Sequence, residues 1–209
     1  AENKLRTIGK YSFYSSSIER IFIPVSVEEI GEFAFAFCKN LKYVEFALAS
    51  KLDCISRFSF YASLLNVICI PINVTKIEES AFAECKYLKS IVLPEKSGLK
   101  TIESKAFEGT LLKGIYIPAN VDELKEGWCC GTSKLNKIVM STDNQHYKYL
   151  EDKFIIEKNN ESGEENLVFC RRDAEEAEIP KSITRISSYA FSDCQNLDYF
   201  SFPSDGKLR

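Results

Sequence analysis

The 209-residue chain has one histidine, His146, no glycine-rich phosphate loop, no Cys-x-x-Cys pair and no cluster at metal-ligand spacing. Those gaps remove the short motifs for nucleotide binding, zinc binding and most nucleophilic hydrolysis. His146 sits in "NQHYKY" with no cysteine or serine at a motif spacing, so it reads as a surface loop residue. The carboxylates are scattered, and "DAEEAE" reads as a polar turn rather than an acid–base pair. No catalytic residue, metal ligand or cofactor is assigned; a Cys–His pair brought together across space is the one catalytic arrangement left open. The chain also lacks a basic excess: its net charge of −3 gives no electrostatic case for nucleic acid. The longest apolar run, near "NVICIPI", falls far short of the ~20 residues that span a bilayer. The opening "AENKLRTI" has no basic-then-apolar leader, which places any secretion signal outside this sequence.

What the chain has is repetition. An Ala-Phe pair or its equivalent marks Phe13, Phe35, Phe60, Phe82 and Phe107, then Cys129 by position, and after a long gap Phe191. The steps from Phe13 to Cys129 are 22, 25, 22, 25 and 22. Five residues before the markers stand Ile8, Ile30, Ile55, Ile77, Ile102, Leu124 and Ile186. Most repeats also carry a strand of the form apolar-x-apolar-Pro, such as "IFIP", "ICIP", "IVLP" and "IYIP", in which proline ends the strand and removes a donor. A period in the low twenties with one short strand per repeat is a leucine-rich-repeat pattern. No such repeat buries its apolar face alone, so neighbours stack. The expected fold is a leucine-rich-repeat solenoid with a parallel concave β-sheet and short helical or 3-10 turns on the opposite side. One solenoid occupies residues 1–209, with a β-hairpin inserted at about 142–178, where "KFII" and "NLVF" flank the polar turn "EKNNESGEE".

The unit "IP..V..I...AF..C..L..I.LP" resembles the BspA-like (Treponema-type) leucine-rich repeat over nearly the whole chain. The resemblance implies cell-surface or secreted adhesins of bacteria and some parasitic protists, acting on extracellular-matrix or other cell-surface proteins. The family also carries a similar enlarged repeat with an internal hairpin. At "GWCCGTSKL" the pattern breaks: Trp128 takes the Ala place and Cys129 the Phe place, with the Trp128 ring expected in the Phe pocket.

Eight cysteines raise the question of disulfides. Cys38, Cys85 and Cys194 fall three after the marker, in a column otherwise holding Ser16, Ser63, Thr110 and Thr132. That column reads as a tight interior turn in which Cys acts as a small hydrophobe. Cys38 and Cys85 stand two rungs apart, roughly 9–10 Å, beyond disulfide reach. Cys69 is expected to face outward and react, unlike the three column cysteines.

Within each strand the two aliphatics point inward, so their neighbours point out. One outward column reads Phe22, Glu45, Cys69, Val92, Tyr116, Val139, Glu178 and Ser201. Its neighbour reads Arg20, Tyr43, Val67, Ser90, Gly114, Lys137, Glu176 and Tyr199. Eight rungs at ~4.8 Å make a surface about 34 Å long, with aromatics and Val where a solvated sheet favours Thr, Lys and Glu. Arg20, Phe22, Tyr43, Glu45, Val67, Cys69, Val92, Tyr116, Lys137, Val139 and Tyr199 are therefore the candidate residues for a protein partner; β-propensity alone accounts for part of that composition. Sequons at Asn73 ("NVT") and Asn160 ("NES") are candidate glycosylation sites. An intracellular scaffold or regulatory repeat domain is the alternative, which unpaired thiols favour; a repeat domain attached to an enzyme is a third reading. Both ends break in the same phase, with Leu5 and Leu208 equivalent to Leu52 and Leu99. The expectation is a fragment of a longer array, with end-to-end self-association through its open ends.

Overall fold

The computed structural model describes residues 4–159 and 162–204; Asn160 and Leu208 lie outside the described residues. Strands are numbered in chain order. Each regular coil contains two strand segments and one turn segment. The aliphatic five before the marker ends a two-residue strand: β1 (Thr7–Ile8), β3 (Glu29–Ile30), β5 (Cys54–Ile55), β7 (Lys76–Ile77), β9 (Thr101–Ile102) and β11 (Glu123–Leu124). These pair in parallel as β1–β3 and β5–β7–β9–β11, each aliphatic beside the next. Sequence reading allowed one strand per repeat and missed this second row, because two residues carry no period of their own.

The apolar-x-apolar segments form the other row: β2 (Arg20–Ile23), β4 (Tyr43–Phe46), β6 (Val67–Cys69), β8 (Ser90–Val92), β10 (Gly114–Ile117), β12 (Lys137–Met140), β16 (Glu176–Glu178) and β18 (Tyr199–Ser201). They are bonded in parallel pairs, β2–β4, β6–β8, β10–β12 and β16–β18.

The turn segment is not helical, contrary to the expectation of helical or 3-10 turns. Its alternate N–H groups leave their own coil. Phe13 donates to the Ala34 carbonyl, Phe35 to Ser59, Phe60 to Ala81 and Phe82 to Ala106, at 2.8–2.9 Å. The amides between them close back three residues, as from Ala34 to Gly31 and Ala36 to Phe33. A helix keeps its bonds within the segment and every residue right-handed; here the residues two before and two after the marker take left-handed φ. Tyr11 and Ser15, Phe33 and Phe37, Phe58 and Ala62, and Ser80 and Glu84 all lie between 52° and 59°. Each such residue costs roughly 1–2 kcal/mol. The bonds to the next coil and the rings stacked beneath them offset that cost. Phe13, Phe35, Phe60, Phe82 and Phe107 form a column with centroids 5.1, 5.3, 5.4 and 5.8 Å apart and planes within 11° of parallel. Burying each such ring contributes ~1.5–3 kcal/mol. Ala34, Ala81 and Ala106, just before their markers, are fully buried, since a larger side chain there would hold the coils apart.

After β12 the pattern changes. β13 (Tyr147–Leu150), β14 (Phe154–Lys158) and β15 (Glu165–Cys170) form an antiparallel meander, and β15 then pairs in parallel with β17 (Ile183–Ile186). Buried Asn144 holds the entry: its amide donates to the Pro118 and Val121 carbonyls and its oxygen accepts from the backbone of His146 and Tyr147. The Tyr147 hydroxyl, 2.7 Å from the Leu124 N–H, closes the edge of the two-residue strand row. Cys170 makes the marker's bond, donating its N–H to the Ala190 carbonyl at 2.9 Å. It is therefore the marker of the enlarged repeat. Trp128 and Phe169, each one before a cysteine marker, supply the rings instead, 6.1 Å apart, and Trp128 stands edge-on to Phe107. One apolar cluster runs from Ile8 to Phe169; a second gathers Phe154, Ile156, Leu167, Cys170, Ala177, Ile183 and Ala190.

Candidate interaction face

Side chains alternate along each face strand, so the two outward columns come together as rungs. Register places Arg20 beside Tyr43, Phe22 beside Glu45, Val67 beside Ser90 and Cys69 beside Val92. It continues with Gly114 beside Lys137, Tyr116 beside Val139, Glu176 beside Tyr199 and Glu178 beside Ser201. Phe22 is 60% exposed, Tyr43 57% and Tyr199 54%. Val67, Val92 and Val139 are exposed, as are Arg20, Glu45, Cys69 and Lys137. Tyr116 differs: it is half-buried and packs against the core, so its side chain is shared between surface and interior. The Arg20 guanidinium lies 5.9 Å from the Tyr43 ring centroid. The Lys137 side chain covers Gly114, where an added Cβ would stand 3.1 Å from that of Lys137.

Asn73, exposed in the turn after Pro71, donates its side-chain amide to the Ser50 carbonyl at 2.8 Å. Asn120 makes the same bond to Ser97 without belonging to a sequon. The column thus uses asparagine to tie one turn to the preceding coil. His146 is exposed in the turn before β13. Among the described residues no group of three or more His, Cys, Asp or Glu side chains is placed to hold a metal ion, and no helix is long and apolar enough to cross a membrane.

The column cysteines do more than fill space. Cys38 and Cys85 are buried and donate their thiols to the Phe13 and Phe60 carbonyls of the preceding coils at 3.0 Å. Burial holds Cys85 up at about 11. Cys194, expected in the same interior column, is only half-buried and stands beside Arg172, unlike Cys38 and Cys85. Its pKa is lowered by a hydrogen bond from Cys170 and by the guanidinium, while the Cys170 thiol is pushed up by that same bond and by burial. Cys69 is exposed.

A second apolar surface on the turn side was missed in the sequence. Tyr11, Phe33 and Phe58 stack at 5.0 and 4.7 Å, and Tyr14, Phe37 and Tyr61 run edge-on beside them. Farther along the same side Phe37, Tyr61 and Tyr87 help to line an open groove of about 350 Å³. The signal was present in "YSFY", "FAFAF" and "FSFY", where aromatics flank the marker at two residues before or one to two after. A helical reading of that segment spreads those residues around an axis; the left-handed turns align them.

The model for the BspA type leucine rich repeat region matches residues 6–149 and 152–208, in 6 copies. Among solved structures, a leucine rich cell surface protein from Faecalibacterium prausnitzii is similar at a TM-score of 0.74 and 24% identity, over 97% of this chain and 60% of that one. The pneumococcal vaccine antigen PcpA is similar at 0.83 and 21%, over 97% and 51%. A leucine-rich repeat protein from Eubacterium ventriosum is similar at 0.60 and 21%, over 96% and 46%. This chain thus spans about half to three fifths of these neighbours' lengths, and at such identities the likeness shows the fold. No curated protein matches. With repeat spacing, stacked parallel strands and family model in agreement, the chain belongs to the BspA-type leucine-rich-repeat family.

Proposed function

We propose that this chain is a non-enzymatic protein-binding module that is displayed at a cell surface and holds a host or neighbouring-cell protein against its outward strand columns. The observation carrying this reading is the run of exposed Phe22, Tyr43, Val67 and Val92 on successive rungs, continued by Val139 beyond half-buried Tyr116 and by Tyr199 beyond the Glu176–Glu178 rung, with Arg20, Glu45 and Lys137 among them. Aromatic and Arg side chains are favoured anchors in interfaces, and a contiguous apolar strip rimmed by charge is more than scattered exposure. Structural neighbours described as a cell surface protein and a vaccine antigen support display outside the cell. Eight free cysteines favour a second reading, an intracellular scaffold, because reduced thiols are the cytosolic norm.

The test is capture from extracellular-matrix and cell-surface protein preparations, with a cytosolic extract in parallel. The triple variant Phe22→Ala, Tyr43→Ala, Tyr199→Ala is compared with the unaltered chain. The proposal expects a matrix or surface protein bound by the unaltered chain, with affinity reduced at least about tenfold in the variant, the loss of one ~1.4 kcal/mol anchor. Binding that survives the triple variant places the site elsewhere, and capture from cytosol alone favours the scaffold.

A further inference from the structure

Where the enlarged repeat rejoins the regular array, the structure departs most from its own rules. Arg172 is 97% buried, being 3% exposed, and among the described residues no carboxylate pairs with it. Its guanidinium instead contacts the Ala190 carbonyl at 3.0 Å, the Cys194 sulfur at 3.8 Å and the Cys129 sulfur at 3.6 Å. It also lies 4.6 Å from the Phe169 centroid, with its Nε unpaired. A buried cation is expensive unless something nearby carries negative charge. The Asp173 and Asp193 carboxylates line a groove with Arg172 without pairing with it. The groups in contact with it that can carry negative charge are the sulfur atoms, with Asp193 opposing ionisation of Cys194.

The fold itself brings two of the cysteines together. In the regular coils the thiol three after a marker reaches back to the carbonyl of the preceding marker, as Cys38 does to Phe13 and Cys85 to Phe60. Cys194 occupies that column in the last described coil, and its preceding marker is Cys170, a thiol where those coils have a ring. The Cys194 sulfur is 3.9 Å from the Cys170 carbonyl. Both sulfurs also approach one atom, the Arg171 carbonyl oxygen, at 3.6 Å for Cys170 and 3.7 Å for Cys194. The two thiols stand on adjacent coils, close enough to hydrogen-bond to each other, whereas Cys38 and Cys85 are two coils apart. Cys194 is only half-buried, and a polar groove of about 190 Å³ lined by its neighbours Asp193 and Gln195 and by Arg172 lies next to it, though neither thiol lines that groove.

We infer that Cys170 and Cys194 are a redox pair, closed into a disulfide by exchange with a small disulfide such as oxidised glutathione, which straps the enlarged repeat to the following coil. The Cys194 thiolate, stabilised by Arg172, attacks one sulfur of the small disulfide and releases one thiolate. Cys170 then gives up its proton to that thiolate or to water and attacks the Cys194 sulfur, expelling the second small thiolate. Two protein thiols are oxidised and one small disulfide is reduced to two thiols, so the exchange balances. Arg172 also explains which cysteine attacks: a thiolate beside a cation forms and reacts at lower pH than a buried one.

The experiment treats the reduced chain with oxidised glutathione at pH 7, traps remaining thiols by alkylation and reads intact mass and digested peptides without reductant. The expected product has lost two hydrogens, links the Cys170 and Cys194 peptides, and returns to the dithiol with dithiothreitol. Arg172→Met is expected to slow the reaction roughly tenfold at this pH, and Cys170→Ser to stop it at a glutathione adduct on Cys194. A bridge between other cysteines, a stable adduct on Cys194 in the unaltered chain, or modification of Cys69 alone overturns the inference. The unaltered chain decides the matter even if a variant fails to fold.

Discussion

From Phe13 to Phe107 the interior is a column of near-parallel rings 5.1–5.8 Å apart. Between Cys129 and Phe191 it is two cysteine markers, a tilted Trp128–Phe169 pair and a buried guanidinium. The backbone differs in parallel. Regular coils repeat two left-handed positions around the marker, whereas Cys170 has none at those places. The turn row therefore skips a coil: the Gly131 N–H takes the Asp193 carboxylate, 62 residues on, at 2.7 Å. The comparison teaches that a ring at the marker always stands between two left-handed residues, whereas those turns persist around Cys129, at Gly127 and Gly131, with a thiol in the ring's place. At Cys170 the turn is missing as well, and the marker is a thiol with the buried Arg172 two residues on.

Ring removal gives the largest expected contrast. Phe82→Ala is expected to lose ~3–5 kcal/mol in urea unfolding, because its neighbours on both sides are rigidly stacked. Cys170→Ala, under reducing conditions, is expected to lose about 1 kcal/mol, the burial of one small group. Equal losses would erase the distinction between the two regions.

Next comes the backbone at the joint. Gly131 has φ of 72°, and a Cβ there would stand 3.0 Å from the Gly109 nitrogen. Gly131→Ala is expected to cost ~2 kcal/mol, from the left-handed penalty plus the close approach. A neutral result would show that this turn relaxes freely, unlike those around Phe35 and Phe60.

Raised thiols occur in both regions, and the one lowered thiol, Cys194, belongs to the joint. Burial raises Cys85 and Cys129 to about 11 and Cys54 and Cys130 to about 12. Their folded values exceed the unfolded ~8.5, so their contribution is fully present below that pH and is lost as pH rises through the folded values. Cys194 is lowered, so its contribution is present above the unfolded value and lost as pH falls through the folded one. Cys38 and Cys170 are raised too, so six raised thiols outweigh one lowered thiol. The urea midpoint in reductant is expected to fall above pH ~8.5, with a shallower fall in Cys85→Ser. A midpoint that rises with alkali would reverse the assignment of which thiols are interior.

The smallest expected effects are on the strand face. Tyr43→Ala should change stability by less than ~0.5 kcal/mol, while Tyr116→Ala, half-buried against the core, should cost about 1 kcal/mol. Equal costs would mean the two residues share one environment.

Much of this was legible in sequence because the repeat writes the same residue into the same environment. The markers, the aliphatics five before them and the outward columns follow from spacing alone. The turn conformation was not legible: Phe33, Phe58 and Ser80 are poor choices for positive φ, and only the coil-to-coil hydrogen bonds make that geometry worthwhile. Cys170 was missed as a marker because "VFCRR" lacks the Ala-Phe pair, and Arg172 because nothing local announces a buried cation. The strand-face side chains were placed correctly in direction, with Tyr116 more buried than its column suggested.

Native-state hydrogen exchange at the marker amides tests the central claim, that ring column and left-handed turns form one cooperative unit distinct from the joint. The Phe35, Phe60 and Phe82 amides, each bonded to the next coil, are predicted to open together with the global unfolding free energy. The Cys170 and Ser187 amides, bonded within the second cluster, are predicted to open together at a smaller one. A single opening free energy shared by all five amides would contradict the division.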